Sequence, residues 1–391
     1  MDKIIKIGVS GAGGYGHWYL KKALEKQTEY RLEISAVFDP VIENVEIYQE
    51  LKENSIPCYS SYPDFKDALI EVDLAIIASP IHFHAKQTRD ALQQGCNVLL
   101  EKPLAGDVEQ AEEIIRTSAE TGKWVMHGYQ WSYSEAIRAL KKDLVDGLYG
   151  KINHAKTLVL WPRGFDYYSR NSWAGKLKND DGLAINDSPV NNAMAHFLHN
   201  LLFLTGDNIE SSSIPVKGKA ELYRMYPIET FDTAVVDLKT KNNTRIKIFV
   251  SHVTKNQKGP LFILECDKAV IYYGELSNEI TAVRMDGETR IYGDPENTDQ
   301  FHKLFVAVET CRSGKEPVCE AKMALHQTRV IEALSVIEPS LCKDHSRIKV
   351  IPGERKYVDG LGYMLYSCYQ QGVMPSKKGF HIKGKIQRFK I

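Results

Sequence analysis

Short uninterrupted apolar runs alternate with amphipathic stretches over the first third of the chain. Residues 4–10 form such a run and read as a buried strand, and residues 32–38, 73–78, 97–100 and 124–128 repeat the signature. Helical spacing predicts helices between them, over about 15–26, 45–54, 85–95 and 108–121. Strands that are apolar on both faces, each followed by a helix, imply a parallel sheet covered on both sides. The pattern ends near residue 130.

Beyond that point the grain changes. Residues 134–146 read as a helix, 152–161 alternate like a half-buried strand, and 162–187 form a long polar and aromatic segment. A strong helical pattern follows over 189–204. Strand-like runs then come in succession: 217–223, 233–238, 245–250, 261–266, 269–273 and 281–285. Helices return at 299–312 and 321–337. Helix, a run of strands, then helix again predicts an α+β domain with one large, mostly antiparallel sheet. An exposed face of that sheet would be a natural oligomer surface. The domain boundaries read from the pattern are 1–130 and 131–391.

A length of 391 residues suits two such domains, and 43% hydrophobic with 26% charged residues is ordinary for a soluble globular protein. Lys plus Arg and Asp plus Glu both total 50, so no net charge draws the chain to nucleic acid or to a membrane surface. The one basic run, residues 377–390, reads as a solvated C-terminal segment. Seven cysteines (Cys58, Cys96, Cys266, Cys311, Cys319, Cys342 and Cys368) are scattered, odd in number and free of CxxC pairs. That argues against a disulfide framework and for a reducing, cytoplasmic compartment. The first residues run straight into a strand, with no signal peptide, and no uncharged apolar run reaches transmembrane length. There is no internal repeat, no low-complexity linker and no metal-ligand spacing, so no metal is expected.

The first candidate chemistry is Gly11-Ala12-Gly13-Gly14-Tyr15-Gly16, a G-x-G-x-x-G pattern placed between a predicted strand and a predicted helix. In that setting Gly11 permits a tight turn, Gly13 lets backbone approach a pyrophosphate, and Gly16 lets helix and strand pack closely. The helix N-terminus offers unpaired N–H groups and a positive dipole end to the phosphates. Gly14 and Tyr15 complete the candidate loop. Asp39 ends the second strand, 23 residues after Gly16. A carboxylate there accepts hydrogen bonds from the adenosine ribose and repels a 2′-phosphate, so NAD is expected in preference to NADP. The first domain is therefore expected to be an α/β Rossmann domain.

Two further motifs stand at carboxyl ends of predicted parallel strands, where open α/β sheets bind ligands. They are Ser79-Pro80-Ile81-His82-Phe83-His84 and Glu101-Lys102-Pro103. Together with the glycine loop they closely resemble the Gfo/Idh/MocA family of sugar and cyclitol oxidoreductases, and the resemblance extends to the second domain. It implies that Lys102 reaches the reacting hydroxyl and the nicotinamide ribose. Glu101 would hold the cofactor on its ribose or nicotinamide side. Ser79, Pro80 and His84 would wall the nicotinamide, and Gln130 would touch cofactor or substrate.

The resemblance also implies a helix that presents Asp and His four residues apart beside the substrate. Counting back from Gly206, His196 takes the place of the family histidine, Asn192 that of the aspartate, and His199 that of a second acidic position. Ser188 reads as the N-cap of this helix with Pro189 at its first position. Asn192, His196 and His199 fall within about 60° of one another on a helical wheel. Val190, Met194, Phe197, Leu201 and Leu204 lie opposite and should face the core. A narrow polar stripe would then face the interdomain cleft. Asparagine orients a neighbour but brings no charge, so His196 would be a weaker base than in members that keep the aspartate.

The segment 161–176 mixes aromatic rings with hydrogen-bonding side chains, which suits a carbohydrate. Arg163, Arg170, Asn171 and Trp173 are the expected substrate contacts, with His199, and an anionic sugar would suit Arg163, Arg170 and Lys176. His252, at the end of the strand 245–250, reads first as structural and only second as a substrate contact.

The expected activity is an NAD(P)-dependent oxidoreduction of a hydroxyl-bearing carbon of a sugar, sugar derivative or cyclitol. His196 would be the general acid/base and Lys102 the stabiliser of developing negative charge, with Asn192 orienting. Two alternatives stand beside it: a glycosidase that oxidises transiently, eliminates and recycles NAD, and a non-catalytic NAD-binding sensor. A homodimer or homotetramer is the expected assembly.

Overall fold

Six strands of the first third lie in one parallel sheet, in the order β3-β2-β1-β4-β5-β6. They are β1 (Ile5–Ser10), β2 (Leu32–Phe38), β3 (Cys58–Tyr59), β4 (Leu74–Ile77), β5 (Asn97–Leu100) and β6 (Val125–His127). All four residues of β4 are buried, so both faces of that strand are covered and its sequence has no reason to alternate. The connections carry α1 (Tyr15–Tyr30), α2 (Tyr48–Glu53), α3 (Tyr62–Ala68), α4 (His84–Gln93) and α5 (Val108–Thr121). Asp107 caps α5 by accepting from the Gln110 N–H, and Gly122 ends it in the left-handed region at φ 67°. These coordinates are a computed structural model that describes residues 3–341, 345–378 and 384–391.

The second unit opens with α6 (Glu135–Val145), β7 (Ile152–Leu160), α7 (Phe165–Ser169) and α8 (Ala195–Leu204). Its sheet adds β8 (Pro215–Arg224), β9 (Thr233–Thr240), β10 (Arg245–Ser251), β11 (Lys258–Cys266), β12 (Ala269–Tyr273), β13 (Ile280–Arg284), β14 (Thr289–Gly293) and β15 (Ser340–Leu341). The order is β14-β13-β12-β11-β7-β10-β9-β8-β15. Pairing is antiparallel except between β7 and β10 and between β8 and β15. The ammonium of buried Lys141, on α6, donates to the carbonyls of Phe203 and Gly206 at 2.6 Å each. It thereby ties α6 to the last turn of α8 and to the residues that follow it.

The chain returns to the first unit late. That unit comprises the residues up to Tyr133 together with Thr298–Leu325, which include α9 (His302–Ser313) and the start of α10 (Ala321–Ser335). Residues 131–391 are therefore not all of one domain, as the sequence pattern had suggested. The cause is aromatic and polar anchorage: Phe305 stacks on Tyr30 at 4.1 Å, and Arg312 donates to the Tyr30 carbonyl at 2.6 Å.

The end of the chain holds more structure than its composition suggests. A hairpin joins β16 (Ile348–Ile351) to β17 (Arg355–Val358), and α11 (Leu361–Gln371) buries Leu365, Cys368 and Tyr369 against Leu158 and Phe249 of the sheet. The basic run is not simply solvated, because β18 (Gln387–Lys390) pairs antiparallel with β8. Residues 379–383 of that run, and Cys342, lie outside the described residues; the other six cysteines are free thiols. Among the described residues no helix is long and apolar enough to cross a membrane.

Candidate active site

The glycine loop leaves β1 and enters α1. Gly11 sits at φ +90°, and a Cβ there would lie 2.9 Å from the backbone of Ala78 and Ser79. A Cβ on Gly16 would meet the Gly11 carbonyl oxygen at 1.7 Å, so the close approach is of α1 to its own loop. Nothing stands within 4 Å of the Cβ position at Gly13 or Gly14. No side chain caps the N-terminus of α1, where the Gly16 N–H donates to the Gly13 carbonyl at 3.0 Å and the positive end of the helix dipole faces the loop. The Tyr15 ring stacks on Phe301 at 5.1 Å and its hydroxyl donates to Gln300 at 3.2 Å. What Tyr15 offers a ligand is therefore its backbone N–H.

Asp39 closes the other side. Its carboxylate accepts from the N–H of Ala12 and of Val41, each at 3.0 Å, and so ties the end of β2 to the glycine loop. A cavity of about 520 Å³ opens beside it, walled by Phe38, Asp39, Tyr62, Ser79 and Phe83. Lys86 also borders it, but its ammonium pairs with Asp90 at 3.0 Å and lies 4.2 Å over the Tyr62 ring. An apolar, aromatic cavity next to a carboxylate and a side-chain-free loop fits the adenosine and pyrophosphate of NAD.

The ends of β4 and β5 are bolted together. His84 spans them, with Nδ1 2.7 Å from the Pro103 carbonyl and Nε2 2.9 Å from the Ser79 carbonyl. Burial pushes its pKa down despite those two hydrogen bonds. Ser79 and Ser10 both donate to the buried Gln87 amide oxygen, at 2.6 and 2.9 Å. His84 and Ser79 thus join the ends of β4 and β5, while Pro80 is exposed and Gln130 is half-buried on the turn Gln130–Tyr133 after β6.

Glu101 has partners that its sequence context does not reveal. It is buried, and its carboxylate accepts from Tyr19 Oη at 2.7 Å, Lys303 Nζ at 2.5 Å and the Lys102 N–H at 3.1 Å. Burial pushes this carboxyl up, but the Lys303 ammonium, the two side-chain hydrogen bonds and the charge of Lys102 hold it below the usual range. The carboxylate fixes the Glu101-Lys102-Pro103 turn from within the first domain. Lys102 itself is half-buried at the tip of that turn. Lys303 and Gln87 escaped the sequence reading. Lys303 had one signal: a lysine flanked by Phe301, Leu304 and Phe305 in a helix otherwise suited to the core.

In the second domain the helix that carries His196 begins at Ala195, six residues later than expected, with Met194 at its N-cap and no capping side chain. Ser188 caps nothing. Side chains outcompete the helix over 188–194: Asn191 donates to the carbonyls of Ile185 and Asn186, at 3.1 and 3.2 Å, and Asn192 donates to Asp187 Oδ1 at 2.7 Å. The predicted polar stripe is absent too. Val190, Met194, Phe197, Leu201 and Leu204 are buried as expected, but so is every other residue of α8 except His196, which is half-buried. His199 is 1% exposed with its ring parallel to that of Phe203, and burial, then the nearby His326, depresses its pKa to about 3. It is a neutral core histidine rather than a substrate contact.

Asp187 supplies the carboxylate that position 192 lacks. It is buried and accepts from Asn192, from the Gly175 N–H at 2.7 Å and from Arg170 Nη2 at 3.0 Å. Arg170 also lies 4.0 Å over the Tyr167 ring and 5.1 Å from that of Trp173. Asn171 accepts from the Trp173 N–H at 3.1 Å. Arg170 and Asn192 thus share one acid, with Trp173 beside the Arg170 guanidinium and Asn171 bonded to the Trp173 backbone. Arg163 stands apart, beside Trp161 and Tyr167, and Lys176 is paired with exposed Asp180. Among the described residues no group of three His, Cys, Asp or Glu could hold a metal.

The family model described as "Oxidoreductase family, NAD-binding Rossmann fold" (GFO_IDH_MocA) matches residues 5–129. Residues 5–129 are thus similar to the NAD-binding domain of that family. Among its curated relatives, 2,7-anhydro-N-acetylneuraminate hydratase of Mediterraneibacter gnavus is 33% identical over 82 residues, 21% of this chain and 22% of that one. D-glucoside 3-dehydrogenase of Escherichia coli is 30% identical over 127 residues, 32% of this chain and 35% of that one. The matched part spans only about a fifth to a third of those relatives. Likeness of fold extends further: the WlbA dehydrogenase from Bordetella pertussis, solved with NADH and UDP-GlcNAcA, superposes with a TM-score of 0.69 at 20% identity, over 85% of this chain and 95% of that one.

Proposed function

We propose that the protein is an NAD-dependent oxidoreductase acting on a CH–OH group of a sugar, a sugar derivative or a cyclitol, in the cytoplasm and as a homo-oligomer. One observation carries the reading: the glycine loop, the Asp39 carboxylate and the Glu101-Lys102-Pro103 turn stand together at carboxyl ends of one parallel sheet. Bound there, NAD supplies a hydride acceptor, or a donor in the reverse direction. The N–H groups at the start of α1 hold its pyrophosphate, and Asp39 holds the ribose and disfavours a 2′-phosphate.

The Lys102 ammonium hydrogen-bonds the reacting oxygen and stabilises negative charge as it develops there. Its place is set by Glu101, which Lys303 and Tyr19 hold. His196 takes up or returns the hydroxyl proton as general acid/base. Asn192, fixed by Asp187, orients His196 or a substrate hydroxyl, and Asp187 brings the charge that an amide lacks. Absorbance of reduced nicotinamide tests the reading while protein and NAD are screened against sugars, cyclitols, uronic acids and glycosides. A rise that His196→Ala abolishes is expected. No rise with any class, in a protein shown to bind NAD, would reject it.

A second reading has one observation in its favour: the 33% identical relative is named a hydratase, and adding or removing water changes no net oxidation state. Release or addition of a substituent that requires bound NAD, without accumulation of reduced cofactor, would select it.

A further inference from the structure

We infer that the second domain holds a subsite for the carboxylate of an acidic sugar, with the Nε2–H of His252 and the guanidinium of Arg163 as its donors. The inference rests on the proposed function for the substrate being a sugar, and adds its charge and the residues that read it.

His252 follows β10 and is 1% exposed. Its Nδ1 lies 3.0 Å from Tyr168 Oη, and its Nε2 is buried with no hydrogen-bond partner among the described residues. Two tautomers are open to a neutral ring. With the proton on Nδ1, both the Nε2 lone pair and the Tyr168 hydroxyl proton go unmatched. With the proton on Nε2, the phenol donates to Nδ1 and a single group is left over, the Nε2–H. The second arrangement wins because each buried unmatched polar group is costly. Burial, followed by the charges of Arg163 and Arg170, depresses the pKa of His252 strongly, which keeps the ring neutral. The leftover group is thus a buried N–H donor in a positive field.

Arg163 is held beside it. The Arg163 N–H donates to the His252 carbonyl at 3.0 Å, and the Trp161 N–H to the Ser251 carbonyl at 3.0 Å, so the segment after β7 runs alongside the end of β10. The Tyr167 ring lies 5.2 Å from the His252 ring and 5.3 Å from the Arg163 guanidinium. Of the segment's cations, Arg170 is answered by Asp187 and Lys176 by Asp180. Arg163 makes no ion pair among the described residues; its side chain donates only to the neighbouring Pro162 carbonyl, at 3.2 Å. One uncompensated guanidinium and one orphan N–H, flanked by the faces of Trp161 and Tyr167, match a ligand with an anionic acceptor and apolar C–H faces. A uronic acid has both.

The test is calorimetric titration of the protein–NAD complex with D-glucuronate, D-galacturonate and D-mannuronate, each against its neutral parent aldose, with glucose 6-phosphate alongside. At least one uronate should outbind its parent by about ten- to a hundredfold, the range of a charge-assisted hydrogen bond. Arg163→Gln should erase most of that preference, bringing the uronate close to its parent aldose. His252→Phe keeps a ring in place and should weaken the uronate by roughly tenfold, with circular dichroism checking its fold. In unaltered protein the imidazole N–H resonance of His252 should shift on uronate binding, which needs no variant to fold. The inference is overturned if no uronate outbinds its parent, if the preference survives Arg163→Gln, or if glucose 6-phosphate binds more tightly than every uronate. Because binding is read without turnover, that failure is separate from failure of the oxidoreductase reading: a neutral sugar that reduces NAD would keep the one and sink the other.

Discussion

The Lys303 ammonium lies 2.5 Å from the Glu101 carboxylate, joining residues 202 positions apart with side chains 0% and 8% exposed. The same ammonium donates to the Gly128 carbonyl at 3.0 Å and lies over the rings of Tyr15 and Tyr19. A late helix thus reaches into the first domain and sets the acid that holds the Lys102 backbone.

Lys303→Met should therefore act twice. It strands a buried carboxylate, which costs about 3–5 kcal/mol when one partner of such a pair is removed, and it frees the turn that carries Lys102. A lower thermal midpoint and weaker NAD binding are expected together. The pair also has a pH signature. Glu101 is held below its ordinary value, so its contribution is full above that value and fades as pH falls through the lowered one. Glu101→Gln combined with Lys303→Met should recover part of the loss, since no charge is then left unpaired. Urea titrations of the three variants decide this, and a double variant no more stable than Lys303→Met would contradict it.

Asp39 gives a prediction about cofactor choice. Asp39→Ala removes the acceptor for the Ala12 and Val41 N–H groups along with the ribose contact. NADH affinity should fall by about ten- to a hundredfold, the equivalent of a hydrogen bond to a charged group. NADPH should lose less, because repulsion of its 2′-phosphate disappears with the carboxylate. Fluorescence titration with both nucleotides measures the ratio, and an unchanged ratio would remove Asp39 as the discriminator.

Local pattern and long-range pairing were unequally legible. The strand 97–100 and the helix 108–121 coincide with β5 and α5, since an apolar run and a capped amphipathic stretch are properties of a few neighbouring residues. The glycine loop was readable because each glycine answers a separate steric demand. The partnership of Lys303 with Glu101 was not, because nothing near either residue names the other. Leu361, Met364, Leu365, Cys368 and Tyr369 do follow helical spacing and are buried in α11, so that helix was present in the pattern but passed over. Over 188–194 a serine and a proline mimic a helix start, while Asn191 and Asn192 bond elsewhere and delay it. The sequence showed an asparagine where the family has an acid. Only the fold shows Asp187 behind it.

Lys102→Ala separates chemistry from cofactor binding. Its side chain extends from a turn whose backbone contacts, including the Lys102 N–H to Glu101, survive the substitution. NAD affinity should fall by no more than about tenfold, the loss of one contact to the nicotinamide ribose. Turnover should fall by roughly 10²–10³, as when one donor to a developing oxyanion is removed. Steady-state rates beside equilibrium titration give both numbers. A physiological response that persisted in this variant while NAD still bound would mark the protein as a sensor.

His199 and His326 predict how the second domain meets acid. Unfolded, each ring protonates near its ordinary value of 6.5; folded, burial holds them at about 3 and about 4, helped by His326 in the first case and Arg329 in the second. Between those limits the unfolded chain binds more protons than the folded one. Stability therefore rises with pH across the window, and is lost as pH falls from about 6.5 toward 4. Above 6.5 neither ring contributes to the slope. Replacing His199 by Phe removes one of the two protons, so the slope between about pH 4.5 and 6 should lessen by close to 1.4 kcal/mol per pH unit. Urea denaturation of both proteins over that range measures the difference, in which the shared carboxylates cancel. Parallel curves would mean that His199 is already protonated in the folded protein, and its place in the core would have to be reconsidered.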